Sequence, residues 1–130
     1  IEGESRKIGN IIMPEFLYHA MKKGINVKVD CKFESRVQRL VDIYTSNNAD
    51  INKTKEITKT LTKKLGKKTV SDMIEHLEQN ELDQFMKIIL EKYYDPLYKY
   101  SIGKLKYDLD VNTDEMQKAV KKINQEYNIM

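Results

Sequence analysis

Apolar residues recur along this chain at helical spacing far more often than at strand spacing. Leu82, Phe85, Met86, Ile89, Leu90 and Tyr93 form its cleanest amphipathic stripe and predict one helix. Pro96 should end that helix, because proline has no amide proton for the ladder and its ring clashes with the preceding turn. Upstream, Val70, Met73, Ile74 and Leu77 predict a helix opened by a Thr69–Asp72 capping box and ending near Asn80. Ile57, Leu61 and Leu65 mark another, capped by Asn52 and stopped by Gly66. Phe33, Val37, Leu40, Val41 and Tyr44 mark a fourth, followed by a loop from Ser46 to Asp50. Near the front, Pro14 opens a helix with Leu17, Ala20 and Met21 on one face and Gly24 as its stop. Thr113 starts the last helix, with Met116, Ala119, Val120, Ile123 and Tyr127 inward.

Strict alternation occurs twice. Ile25, Val27, Val29 and Cys31 alternate with polar residues, as do Leu105, Tyr107, Leu109 and Val111, and each run predicts a strand with one buried face. The order predicts a helix-rich α/β fold containing part of a parallel sheet. Residues 1–32 would be strand–helix–strand, residues 33–100 a helical insertion and residues 101–130 strand–helix. Crossovers of this kind place loops at the C-terminal ends of strands, where α/β folds bind ligands.

Composition adds limits. The 130 residues suit one domain or a large part of one, and 33% charged residues suit a water-facing surface. No apolar run approaches a membrane span. The single cysteine permits no internal disulfide and fits a reducing cytoplasm. A net charge of +3 does not by itself argue for nucleic acid.

Candidate chemistry sits in four places. The segment Glu2-Gly3-Glu4-Ser5-Arg6-Lys7-Ile8-Gly9 reads as the end of a strand facing a phosphate or a metal ion. Glu2 and Glu4, two apart, point the same way and could hold a magnesium ion, while Ser5 and Arg6 would meet an anion. The bland reading is an exposed charged terminus. Of the 23 basic residues only Arg6, Arg36 and Arg39 are arginine. A chain that otherwise uses lysine keeps arginine where a planar fork is useful. Arg36 and Arg39, three apart on a helix, can face one anion, or they make surface ion pairs with Glu34 or Asp42.

Between Lys53 and Lys68 lie Lys53, Lys55, Lys59, Lys63, Lys64, Lys67 and Lys68 against Glu56 alone, a local charge of about +6 by count. Such a stretch can follow an RNA backbone or be a solvated face. Four of the 8 tyrosines surround Asp95-Pro96. Tyr94 and Tyr98 could stack on unpaired bases, or close a helix end by packing. Tyr93 falls in phase with the apolar stripe. Cys31 reads as an inert core thiol. His19 and His76 lack a second ligand at metal spacing, so no metal site is assigned to them.

Together these segments resemble the C-terminal part of tRNA 2-selenouridine synthase. The resemblance rests on Glu2-Gly3-Glu4-Ser5-Arg6-Lys7-Ile8-Gly9, Pro14-Glu15, Glu34-Ser35-Arg36-Val37-Gln38-Arg39-Leu40 and Tyr93-Tyr94-Asp95-Pro96-Leu97-Tyr98-Lys99-Tyr100. It implies the distal half of a P-loop kinase-like domain. It further implies a parent enzyme that replaces the sulfur of wobble 2-thiouridine by selenium, with selenophosphate as donor, geranyl diphosphate as source of an S-geranylated intermediate, and tRNA as partner. The family's rhodanese-like domain and its Gly-x-x-x-x-Gly-Lys-Ser/Thr loop are not in this sequence. Gly66-Lys67-Lys68-Thr69 lacks the first glycine and follows a helix instead of a strand. The chain is therefore expected to be a piece of a larger enzyme, inactive alone in selenium transfer. Two other classes stay open: half of a P-loop ATPase or nucleotide kinase, and a helical RNA- or protein-binding module for which Glu2 and Glu4 are dispensable.

Overall fold

Gly9 adopts φ +59°, a left-handed conformation that L side chains rarely take, and the chain reverses there at once. Lys7–Ile8 (β1) and Ile11–Ile12 (β2) pair antiparallel around it, Lys7 opposite Ile12 and Ile8 opposite Ile11. This structure, a computed structural model, describes residues 6–128. The front of the chain was expected to be a buried strand ending near Gly9. Its described part is instead an exposed two-residue hairpin, because the glycine turn pairs the strand back on itself.

Glu15–Lys23 forms α1 directly after Pro14. Gly24 follows with an extended backbone, φ −77° and ψ −178°, so it ends the helix without a left-handed turn. None of the α1 residues is buried. Val27–Asp30 (β3) runs parallel to a later strand, and its Val29 is 60% exposed.

Phe33–Ser46 forms α2. Asp50, not Asn52, caps the next helix, its carboxylate accepting from the backbone N–H groups of Asn52 and Lys53 at 2.8 and 3.3 Å. The single helix expected up to Gly66 is two, Ile51–Thr60 (α3) and Thr62–Leu65 (α4), parted at Leu61. Threonine hydroxyls back-bond at this break, Thr60 to the Ile57 carbonyl at 2.6 Å and Thr62 to the Lys59 carbonyl at 2.7 Å. Bonds of this kind bend a helix. Gly66, at φ +82°, then starts Lys67–Glu78 (α5). Thr69 and Asp72 do not form a capping box, since the helix has begun two residues before Thr69 and carries no side-chain cap.

Leu82–Ile89 forms α6, and here Pro96 does not act as the expected stop. The chain widens into one π-helical turn, Leu90–Tyr94, and resumes as Asp95–Lys104 (α7). Pro96 sits just past this widened turn, where the Asp95 N–H still reaches the Leu90 carbonyl, so the helical path continues through a residue that has no N–H of its own.

The second alternating run is strand only over Leu109–Asn112 (β4), which pairs in parallel with β3, Val27 opposite Leu109 through Asp30 opposite Asn112. Ahead of it, Asn26 and Asp108 lock the entry. The Asp108 N–H donates to the Asn26 carbonyl at 2.8 Å, and the Asn26 N–H donates to the Asp108 carboxylate at 2.7 Å. Asn112 caps a short 3-10 turn, Thr113–Glu115, which leads into Met116–Tyr127 (α8). Ala119 is buried as expected, but Met116 is 53% exposed.

The described chain is thus a helix-rich α/β protein with few strands. It comprises two compact units, one from the stretch up to Lys32 with the stretch from Tyr98, the other Phe33–Leu97. In the second unit Val37, Met73, Leu77, Phe85, Met86 and Leu90 make the core, with Phe33, Leu40, Tyr44 and Leu65 packed around them. Met73 is fully buried there. Met73→Ala should therefore lower unfolding free energy by about 2–5 kcal/mol in urea denaturation. Ile57→Ala, at a position 57% exposed, should change it by less than about 0.5 kcal/mol.

Candidate functional site

Helix α2 carries Arg36 and Arg39 three residues apart, so one helical face presents both guanidinium groups. Arg36 is engaged by Asp95 at the start of α7. Its NH1 donates to Asp95 Oδ2 at 3.0 Å and its NH2 to Oδ1 at 2.6 Å. This is the two-pronged geometry that makes arginine the preferred partner of a planar anion. Asp42 receives the Gln38 amide at 2.8 Å. Asp95, set among the tyrosines, thus holds Arg36. Arg39 is half-buried beside it on the same helix.

Arg6 belongs to the other unit. Its Nε and NH2 both donate to the Met13 carbonyl, at 3.3 and 3.0 Å, and its guanidinium lies 5.7 Å from the Tyr18 ring centre. It fastens the β1–β2 hairpin to the entry of α1. Glu2, Glu4 and Ser5 lie outside the described residues.

The lysine stretch divides by neighbours. Lys55 bonds Glu78 on α5 at 2.7 Å and Lys59 bonds Glu56 at 2.7 Å, so two of the seven lysines have acidic partners. Lys63, Lys67 and Lys68 are exposed on either side of Gly66, where α4 gives way to α5. The first turn of α5 contains no acid, although helix N-termini favour negative charge. Lys64 stands 5.2 Å over the Tyr93 ring, a cation–π contact linking this junction to the π-helical turn.

Tyr93 is half-buried, in keeping with its phase on the apolar stripe, while Tyr94 is exposed and Tyr98 half-buried. Cys31 lies just past β3, half-buried, with Sγ 3.4 Å from Asp114 Oδ1. Its strand was expected to bury it; the strand ends one residue earlier. Among the described residues no cluster of three or more His, Cys, Asp or Glu could hold a metal ion, and no helix is long and apolar enough to cross a membrane.

Residues 1–129 match the family model described as tRNA 2-selenouridine synthase AAA domain. The chain belongs to that family. An uncharacterized protein of Methanocaldococcus jannaschii is 30% identical over 133 residues, an alignment covering 96% of this chain. The chain spans 59% of that relative's length. No solved structure matches it. Within the selenouridine synthase AAA-domain family, the Arg36–Asp95 contact is informative, because it joins two segments that carry the resemblance. Sequence reasoning picked out both residues but not their pairing, since they stand far apart in the chain and each had nearer partners to consider.

Both members of this pair are partly exposed, so their coupling should be modest. A double-mutant cycle with Arg36→Gln and Asp95→Asn should give about 1 kcal/mol in urea unfolding. A coupling indistinguishable from zero would mean that the fork does not hold α2 to α7 in solution.

Proposed function

We propose that the chain is one part of a tRNA-modifying enzyme that replaces the sulfur of wobble 2-thiouridine by selenium, and that this part grips tRNA phosphates. The observation carrying the reading is the α4–α5 junction. Lys63, Lys67 and Lys68 are exposed there with no acid in the first turn of α5. Packing or ion pairing accounts for Lys55 and Lys59, and neither accounts for this trio. A phosphodiester backbone supplies the charge that both the helix end and the lysines favour. Exposed Tyr94, with Tyr93 beneath Lys64, offers a ring on which an unpaired base can stack.

The chemistry of the reaction follows the family resemblance. Selenophosphate would donate selenium and geranyl diphosphate would supply the geranyl group of an S-geranylated intermediate. A rhodanese-like domain elsewhere in the longer protein would provide the reactive thiol. Glu2 and Glu4 would be the magnesium-proximal carboxylates, Arg39 would meet a phosphate within the helical unit, and the cytoplasm would be the compartment. The parallel β3–β4 pair supports a phosphate-handling α/β domain in the longer protein, since parallel strands are normally covered on both faces and Val29 is not covered. The same pair suits half of a P-loop ATPase or kinase, which an adjoining rhodanese-like domain would argue against.

Unmodified tRNA binding to the chain, measured across a salt series, tests the phosphate grip. The triple change Lys63→Gln, Lys67→Gln, Lys68→Gln should weaken binding and flatten the log–log salt slope by about 2–3, near 0.9 for each lost contact. Affinity and slope equal to the parent chain would remove the junction from the tRNA interface. Selenium incorporation into 2-thiouridine tRNA by the longer protein tests the reaction separately.

A further inference from the structure

The parallel strands β3 and β4 stop at the same end, and beyond them lies a cleft of about 350 Å³. That size is within the range of small-ligand pockets, and the carboxyl ends of parallel strands are where α/β folds bind them. Val111 and Ala119, both buried, line its apolar part. Lys32, Lys118 and Lys122 line it, the first at the β3 exit and the other two on successive turns of α8.

The acids in the cleft are already committed. Asp114 accepts the Lys32 backbone N–H at 3.2 and 3.3 Å and lies against Cys31 Sγ, and Glu115 pairs with Lys118. Lys122 Nζ donates to the Asp110 carbonyl at 2.7 Å, which fixes its position while leaving it two further protons to donate. Thr113 Oγ1 ties the wall together by donating to the Asp30 carbonyl at 3.1 Å.

From this geometry we infer a binding site for a compact phosphate-bearing small molecule. Its phosphate meets Lys32, Lys118 and Lys122, and its apolar part rests on Val111 and Ala119. The site shares no residue with the lysine junction proposed for tRNA, and either reading can fail while the other stands.

Inorganic phosphate titrated into the 130-residue chain, followed by amide NMR, tests it. Saturable shifts are expected at Asn112, Asp114 and Ala119. Lys32→Gln and Lys122→Gln should each weaken binding by about tenfold, the scale of one charged hydrogen bond. Lys121→Gln, on the neighbouring face of α8, should leave it unchanged, and Glu115→Gln should tighten it by releasing Lys118. Shifts that never saturate, or an equal loss in Lys121→Gln, would overturn the site. So would a short RNA oligonucleotide moving these amides where phosphate does not.

Discussion

Parallel pairing of Val27–Asp30 with Leu109–Asn112 imposes the constraint on which the chain's organisation rests. Two parallel strands cannot be joined by a tight turn, so the chain must leave one end and re-enter at the other. The whole helical unit Phe33–Leu97 is threaded into that return path, and it carries a core of its own from Val37 through Leu90. A helical unit with its own core can vary its surface without altering the strand register. That separation suits a protein in which one unit bears a basic face and the other a cleft at strand ends.

The Arg36–Asp95 fork shows how a charge can do structural work in a region that looks built for ligands. Arginine was singled out because the chain uses it sparingly, and the reasoning about its planar geometry applies. The planar anion it meets is a carboxylate of the same chain. An incoming phosphate at this position would have to compete with a carboxylate already held at 2.6 and 3.0 Å. Arg6 follows the same pattern with a backbone carbonyl.

Periodicity read the helical unit well because that unit buries its own stripes. Met73, Leu77, Phe85, Met86 and Leu90 are where the spacing put them. The same reasoning found both members of the parallel pair, yet misjudged faces such as Val29 and Met116, since a pattern of apolar positions announces a cover without saying whether the described chain supplies it. Local endings were the least legible part. Asp50 displaced Asn52 as cap because the helix began two residues earlier, and Thr69 lost its capping role because α5 began three residues earlier. The cleft beside Lys32 escaped notice altogether, since its three lysines come from segments far apart in a chain rich in lysine.

The widened turn at Leu90–Tyr94 carries an arithmetic consequence. An α-helix advances about 100° per residue, and a π turn accommodates one residue beyond the usual repeat. Asp95 meets Arg36 with that surplus residue absorbed just before it. Removing any one residue from the bulge would let the ladder run straight and swing the carboxylate roughly a quarter-turn aside. The placement of the tyrosine pair relative to the apolar stripe thus depends on the number of residues in this turn as well as on their side chains.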